Sequence, residues 1–81
     1  MQLLKKIMTP IEIQIIRKLY DNKNYIVSTE AICDTVWGID SFGYEKSLMV
    51  HIRNIREKIE LNPSKPQYLV TVKGLGYKLM V

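Results

Sequence analysis

The sequence predicts one small domain that is mainly α-helical and ends in a β-hairpin. Three observations lead to this prediction. The chain has 81 residues, which is the length of a single domain. Apolar residues recur at helical spacing in three segments, about residues 9–21, 28–37 and 44–60. Two β-rich runs within about residues 67–81 flank a turn that contains two glycines.

The first predicted helix begins at Thr9, whose hydroxyl can accept from the helix N-terminus while Glu12 bonds back to the backbone of Thr9. Pro10 suits the first helical position. The apolar stripe of this helix consists of Ile11, Ile15, Ile16 and Leu19. The turn-forming run Asp21-Asn22-Lys23-Asn24 ends it.

The second predicted helix follows a short extended connector, Tyr25-Ile26-Val27. Ser28 can cap this helix, and Glu30 places a negative charge in its first turn. Its buried side consists of Ile32, Cys33, Val36 and Trp37. Gly38 ends the helix, and a loop over residues 38–43 leads to the next one.

The third predicted helix is the longest element, and a hairpin follows it. Its apolar stripe consists of Leu48, Ile52, Ile55 and Ile59. Pro63 and Pro66 in the next segment cannot continue a helix. The strand-like runs 67–72 and 77–81 are then joined by Lys73-Gly74-Leu75-Gly76, a four-residue connection.

Composition argues against several classes of protein. The single cysteine, Cys33, can form neither an internal disulfide nor a multi-cysteine metal site, and we expect a buried helix residue there. No apolar run approaches the ~20 residues that span a membrane, and the amino terminus lacks the layout of a secretory signal. One histidine and no nucleophile–base pair argue against an enzyme. We therefore expect a cytoplasmic protein with no cofactor, no metal and no membrane partner.

The net charge of +4 lies entirely in the second half of the chain. Residues 1–43 carry five basic and five acidic side chains, whereas residues 44–81 carry seven basic and three acidic ones. A localised positive field suits nucleic acid or an acidic membrane surface. A solubilising excess of charge without a partner also explains +4, so composition leaves these interpretations open.

The third helix separates its charges from its apolar stripe. At about 100° per residue, the opposite side carries Lys46, Val50, Arg53 and Glu57, with Ser47 and Asn54 beside them. Lysine, arginine and asparagine are residue types that bind phosphates and base edges from a helix in the major groove. Val50 fits either contact with a thymine methyl group or an ordinary exposed valine. Lys73 at the hairpin tip fits either a DNA contact or an exposed turn.

Five segments of the sequence together carry a resemblance to a known family. In chain order they are M-T-P-I-E, S-T-E-A-I-C-D-T-V-W-G, V-H-I-R-N-I-R-E-K-I-E, N-P-S-K-P and Y-L-V-T-V-K-G-L-G-Y-K-L, and from first to last they span about nine-tenths of the chain. They resemble the winged-helix DNA-binding effector domain of OmpR/PhoB-type response regulators. The resemblance implies a winged helix-turn-helix module of a two-component transcriptional regulator, with its third helix in the major groove and its hairpin wing at the minor groove.

The resemblance also assigns positions to the DNA interface. On the third helix the counterparts are Lys46, Ser47, Val50, His51, Arg53, Asn54 and Arg56, and in the wing they are Thr71, Lys73, Gly76 and Tyr77. Trp37 matches a tryptophan that packs beside the surface contacting the DNA backbone. By spacing alone His51 is a packing histidine, whereas the resemblance implies a phosphate contact. A segment implicated in touching RNA polymerase matches the loop Gly38, Ile39, Asp40, Ser41, Phe42 and Gly43.

Three features depart from the family pattern. Met49 stands where an acidic residue is usual and Asn54 where a second arginine is common, so the relatives' DNA sequence preference does not transfer, and Asn54 suits adenine. Lys73 replaces the usual wing arginine, which weakens bidentate readout. Only eight residues precede Thr9, where the family has a small sheet, so the chain is either a fragment of a longer regulator or a short protein. We expect Leu3, Leu4 and Ile7 to form a residual strand or to mediate self-association.

The resemblance therefore predicts double-stranded DNA as the main partner. It also predicts a second copy on tandem half-sites about one helical turn apart, RNA polymerase, and a receiver domain upstream. The alternative is a winged-helix protein–protein interaction module that does not bind DNA.

Overall fold

The structure, a computed structural model, describes residues 7–39 and 43–81. These residues contain three helices and a three-stranded antiparallel sheet. In chain order the elements are α1 (Pro10–Asp21), β1 (Val27–Ser28), α2 (Thr29–Trp37), α3 (Glu45–Ile59), β2 (Leu69–Val72) and β3 (Gly76–Leu79). None of these three helices is both long and apolar enough to cross a membrane.

Local side-chain bonds set where the first two helices begin. The Glu12 N–H donates to Thr9 Oγ1 at 3.2 Å, and the Thr9 N–H donates to Glu12 Oε1 at 2.9 Å, which is the predicted capping box. Ser28 Oγ accepts from the Ala31 N–H at 3.0 Å. These caps satisfy backbone donors that a helix leaves without partners at its N-terminus, so the start of each helix can be predicted from a few adjacent residues.

The sheet has one strand more than the sequence predicts. β1 lies in what the sequence suggests is a connector, and it pairs antiparallel with β3, Val27 opposite Tyr77 and Ser28 opposite Gly76. β2 pairs with the other edge of β3, so the strand order is β1-β3-β2. The prediction of a hairpin alone was therefore incomplete. A two-residue strand has no periodicity of its own, and only its partner residues on β3, 48 and 50 positions further along the chain, define it.

The pairing of β1 with β3 requires glycine at position 76. Its φ is 152°, and a Cβ there would lie 2.1 Å from the Val27 carbonyl oxygen. A side chain would therefore push β1 away from β3. Because Gly76 pairs with both Val72 and Ser28, the turn contains residues 73–75, one fewer than predicted.

The core lies between the three helices and the inner face of the sheet. It contains Ile15, Leu19, Val27, Ile32, Cys33, Leu48, Ile52, Ile55, Leu69, Tyr77 and Leu79. Cys33 is buried, as predicted, and burial together with the negative charges of Glu45 and Asp34 raises the pKa of its thiol. A buried thiol with a raised pKa is a weak nucleophile, which supports its role as a packing residue.

A partly buried ion pair joins α1 to α3. Lys58 Nζ lies 2.5 Å from Glu12 Oε1 and also donates to the Ile7 carbonyl oxygen at 2.9 Å. Burial alone would raise the pKa of the Glu12 carboxyl, but the bonds and charge of Lys58 and the bonds of Thr9 outweigh it and lower that pKa. Ile7 itself is exposed, and α1 leaves Ile13 and Tyr20 open to solvent, whereas Leu3 and Leu4 lie outside the described residues.

Candidate nucleic-acid interface

α3 presents an apolar side to the core and a polar side to solvent. Leu48, Ile52 and Ile55 are completely or almost completely buried. On the other side Lys46, Ser47 and Arg53 are exposed, and Asn54 is half-buried. Val50 lies among them and is 49% exposed. The amphipathic pattern of the sequence therefore orients the predicted DNA-binding residues of the helix outward.

Aromatic rings connect the end of α2 to the start of α3. The Trp37 ring stacks on Tyr44 with the centroids 4.7 Å apart and the planes 14° apart. His51, nearly two turns into α3, lies 6.0 Å from Trp37 by ring centroids. His51 is half-buried, so its ring packs as its spacing predicts, and a phosphate contact by this residue remains a prediction. Only its position just before α3 marks Tyr44 in the sequence, and this ring contact was not predicted.

A groove separates α3 from the wing, by which we mean residues 69–79. The residues of α3 that line it are Lys46, Met49, Val50, Ile52, Arg53, Arg56 and Glu57. The opposite wall consists of Pro63, Ser64, Pro66, Val70, Thr71 and Tyr77. Three cations against one carboxylate give this groove a net positive charge. The groove thus brings the two parts of the predicted interface, helix and wing, to one surface.

Arg56 holds the wing against α3. Its Nε donates to the Leu69 carbonyl oxygen at 2.9 Å, and its Nη2 donates to Thr71 Oγ1 at 2.7 Å. The guanidinium thus spans from the helix to β2 with two directed bonds, a geometry that lysine cannot reproduce. Arg56 and Thr71, both predicted as DNA-binding residues, therefore also set the width of the groove.

Glu60 anchors the start of β2, a role that the sequence analysis missed. Its carboxylate accepts from the backbone N–H of Gln67 at 2.8 Å, of Tyr68 at 3.0 Å and of Leu69 at 2.8 Å. The side chain is nearly buried although it carries a charge. These bonds hold residues 67–69 beside the end of α3, and the pairing with β3 begins at Leu69 and not at 67 as predicted. The available signal was a glutamate directly before a proline-containing segment.

The tip of the wing carries the exposed cation. Lys73 and Leu75 are exposed, Gly74 has a φ of 78°, and the Leu75 N–H donates to the Val72 carbonyl oxygen at 2.9 Å. The tight turn therefore presents Lys73 beyond the end of the sheet.

The other two predicted wing residues are buried in the domain. Gly76 packs against β1, as described above, and Tyr77 is only 7% exposed while contributing to the wall of the groove. Burial raises the pKa of the Tyr77 hydroxyl more than the nearby Arg56 charge lowers it, and Cys33 adds to the rise. The structure thus gives both residues a role in shaping the wing, and direct DNA contact by either one remains a prediction.

The predicted polymerase-contacting loop lies only partly within the described residues. Gly38, Ile39 and Gly43 are exposed, whereas Asp40, Ser41 and Phe42 lie outside the described residues. Residues 7–39 and 43–81 contain no cluster of three or more histidine, cysteine, aspartate or glutamate side chains suited to a metal ion.

The chain is similar to known transcriptional regulators along most of its length. Residues 5–79 match the family described as "Transcriptional regulatory protein, C terminal". The transcriptional regulatory protein YvrH of Bacillus subtilis is 44% identical over 68 residues, which is 84% of this chain and 29% of YvrH. The chain thus spans about a third of the length of the curated relatives that it matches.

Solved structures support the same assignment. The response regulator DrrB of Thermotoga maritima, an OmpR/PhoB homologue, superposes with a TM-score of 0.82 at 27% identity, covering 93% of this chain and 34% of DrrB. The DNA-binding domain of CssR from Bacillus subtilis gives a TM-score of 0.77 at 27% identity, covering 91% of this chain and 78% of that domain. The resemblance seen in the sequence is thereby confirmed: the chain belongs to the family of C-terminal winged-helix domains of OmpR/PhoB-type transcriptional regulatory proteins.

Proposed function

We propose that the chain binds double-stranded DNA in a sequence-specific manner, as the effector domain of a two-component transcriptional regulator. In this proposal α3 enters the major groove and the tip of the wing reaches the adjacent minor groove. The observation that carries it is the outward polar side of α3, with Lys46 and Arg53 exposed beside a wing that Arg56 holds in place. A B-DNA major groove is about 12 Å wide and admits one α-helix.

The exposed side chains divide by the chemistry that they offer. Lys46 and Lys73 are flexible point charges, which suit phosphates and carry no sequence information. Arg53 and Asn54 can form two directed bonds to one base, arginine to guanine and asparagine to adenine. We therefore assign positioning of the DNA to the lysines and base discrimination to Arg53 and Asn54.

Selection of bound duplexes from a random pool, followed by binding measurements on the selected duplex, tests the proposal. Arg53→Ala and Asn54→Ala should each cost about 1–3 kcal/mol and relax the preference at one base pair. Lys46→Ala should weaken all duplexes alike and reduce the salt slope by about one. Arg17→Ala, an exposed cation on α1 outside the groove, is the matched control and should leave affinity nearly unchanged.

The result that contradicts the proposal is the absence of duplex binding at low salt by the folded chain. Electrostatic contacts to phosphates are strongest at low salt, so a DNA-binding domain must bind some duplex there. That result would favour the alternative of a protein–protein interaction module, for which exposed Ile39 in the loop before α3 offers an apolar contact.

The remaining partners belong to the proposal as well. The relatives are about three times as long as this chain, which leaves room for an upstream receiver domain. A second copy on a tandem half-site and RNA polymerase at the loop over residues 38–43 complete the assembly. In this assembly the chain acts in the cytoplasm and is not an enzyme.

A further inference from the structure

Met49 is an exposed apolar side chain in a groove that carries positive charge. It is 61% exposed, although methionine is a residue type usually found in the core. Its side chain lines the groove together with those of Lys46, Arg53 and Arg56. Exposure of an apolar side chain to water is unfavourable, and a ligand that fills the groove would cover Met49.

The position of Met49 on α3 places it toward the wing. Met49 and Arg56 are seven residues apart and therefore share a side of the helix. Arg56 bonds directly to β2, which identifies that side as the one facing the wing. Val50 also lines the groove, but it is rotated by about 100° from Met49 around the helix axis and therefore faces a different part of it.

The wall opposite Met49 is also apolar. Its apolar surface comes from Pro63, Pro66 and Val70. The cations Lys46 and Arg53 line the same groove. A duplex held at its phosphates by Lys46, with Arg53 at a base edge, would bring the neighbouring base edges over an apolar strip. In the major groove the apolar group that a base presents is the C5-methyl group of thymine, or of 5-methylcytosine.

We propose that Met49 is a specificity-determining residue that receives the C5-methyl group of a pyrimidine in the bound duplex. This inference rests on the proposed function and names the chemical group that this part of the groove reads. The unbranched thioether chain of methionine has three rotatable bonds and adapts to small apolar groups, so it can reach from the wing side of α3 to a base edge.

Replacement of thymine by deoxyuridine in the selected duplex tests this inference, because it removes only the methyl group. With the 81-residue wild-type chain, at least one such replacement should weaken binding about four-fold, the effect of losing one buried methyl group. In Met49→Ala the same replacement should have no effect, and the thymine duplex should bind as weakly as the deoxyuridine duplex binds to wild type. Ile13→Ala, which removes an exposed apolar side chain of α1 that does not line the groove, is the control and should keep the sensitivity at that position.

Two results would overturn the inference while leaving the proposed function intact. One is specific duplex binding that no thymine replacement weakens. The other is a sensitivity that persists unchanged in Met49→Ala, which would assign the methyl contact to another residue. Failure of the proposed function is a different result, since no duplex would then be selected at all. Thermal unfolding of Met49→Ala, expected to match wild type within a few degrees because the side chain is exposed, keeps a folding defect separate from a binding defect.

Discussion

The bonds of Glu60 predict that this one side chain stabilises the wing and, through it, the whole domain. In Glu60→Ala three backbone N–H groups lose their acceptor. The Leu69 N–H belongs to a fully buried residue, and leaving such a donor without a partner costs about 1–3 kcal/mol. Gln67 and Tyr68 are exposed, so their N–H groups can donate to water instead, and each lost bond should cost only about 0.5 kcal/mol. We therefore expect a loss of about 3 kcal/mol in the free energy of unfolding.

Thermal unfolding followed by circular dichroism measures this loss. For a domain of this size, 1 kcal/mol shifts Tm by about 4–8 °C, so Glu60→Ala should melt roughly 12–24 °C below wild type. Glu60→Gln keeps one carbonyl acceptor and should fall between the two. Glu30→Ala removes an exposed glutamate from the first turn of α2 and should cost less than about 1 kcal/mol.

The reasoning is refuted if Glu60→Ala melts within a few degrees of Glu30→Ala. That result would mean that water enters the start of β2 and satisfies the Leu69 N–H in the folded protein. A second readout is duplex affinity at a temperature where Glu60→Ala is still folded. It should fall because β2, which carries Thr71, is no longer anchored next to α3.

Three further predictions concern other parts of the domain. Gly76→Ala should lower the free energy of unfolding, measured in urea, more than Gly74→Ala does. Both glycines have a positive φ, which costs roughly 1–2 kcal/mol for a non-glycine residue. Only at Gly76 would the added Cβ also collide with backbone atoms. Arg56→Lys keeps the charge but should lower duplex affinity and cost about 1–2 kcal/mol of stability, because an ammonium cannot make both bonds to β2. Equal duplex affinity of the variant and wild type would contradict this. The pKa of Glu12 is lowered in the folded chain, so its carboxylate stabilises the fold above the ordinary value of 4.5 and this stabilisation is lost as the pH falls through the folded pKa. The difference in unfolding free energy between wild type and Glu12→Gln should therefore shrink between about pH 7 and about pH 3, whereas a constant difference would argue against the ion pair with Lys58.

The candidate site shows where prediction from the sequence succeeds. The outward side of α3 was predictable because a single helix periodicity orients Lys46 and Arg53 relative to the buried stripe. The wing turn with exposed Lys73 was predictable because its glycines mark the turn. Both inferences use residues that are neighbours in the chain, and local geometry then decides their orientation.

Other features of the site depended on contacts between distant residues. Arg56 was predicted as a DNA contact, and nothing in its local sequence shows that it bonds to β2. In the sequence Glu60 is one of eight acidic residues, and nothing near it shows that its carboxylate accepts from the backbone of residues 67–69. The resemblance assigns Gly76 and Tyr77 to the DNA interface, but Gly76 is covered by β1, a strand that exists only through its pairing with β3, and Tyr77 belongs to the core.

The sequence by itself determined the three helices, their caps, the apolar stripes, the turn of the wing and membership of the regulator family. These features rest on residue types within a few positions of one another, where the backbone geometry is nearly constant. Only the tertiary structure decided the third strand, the attachment of the wing to α3 through Arg56 and Glu60, and the groove in which Met49 is exposed. These depend on which distant segments meet, because the hydrogen bonds and steric contacts that position the wing join residues that the sequence keeps apart.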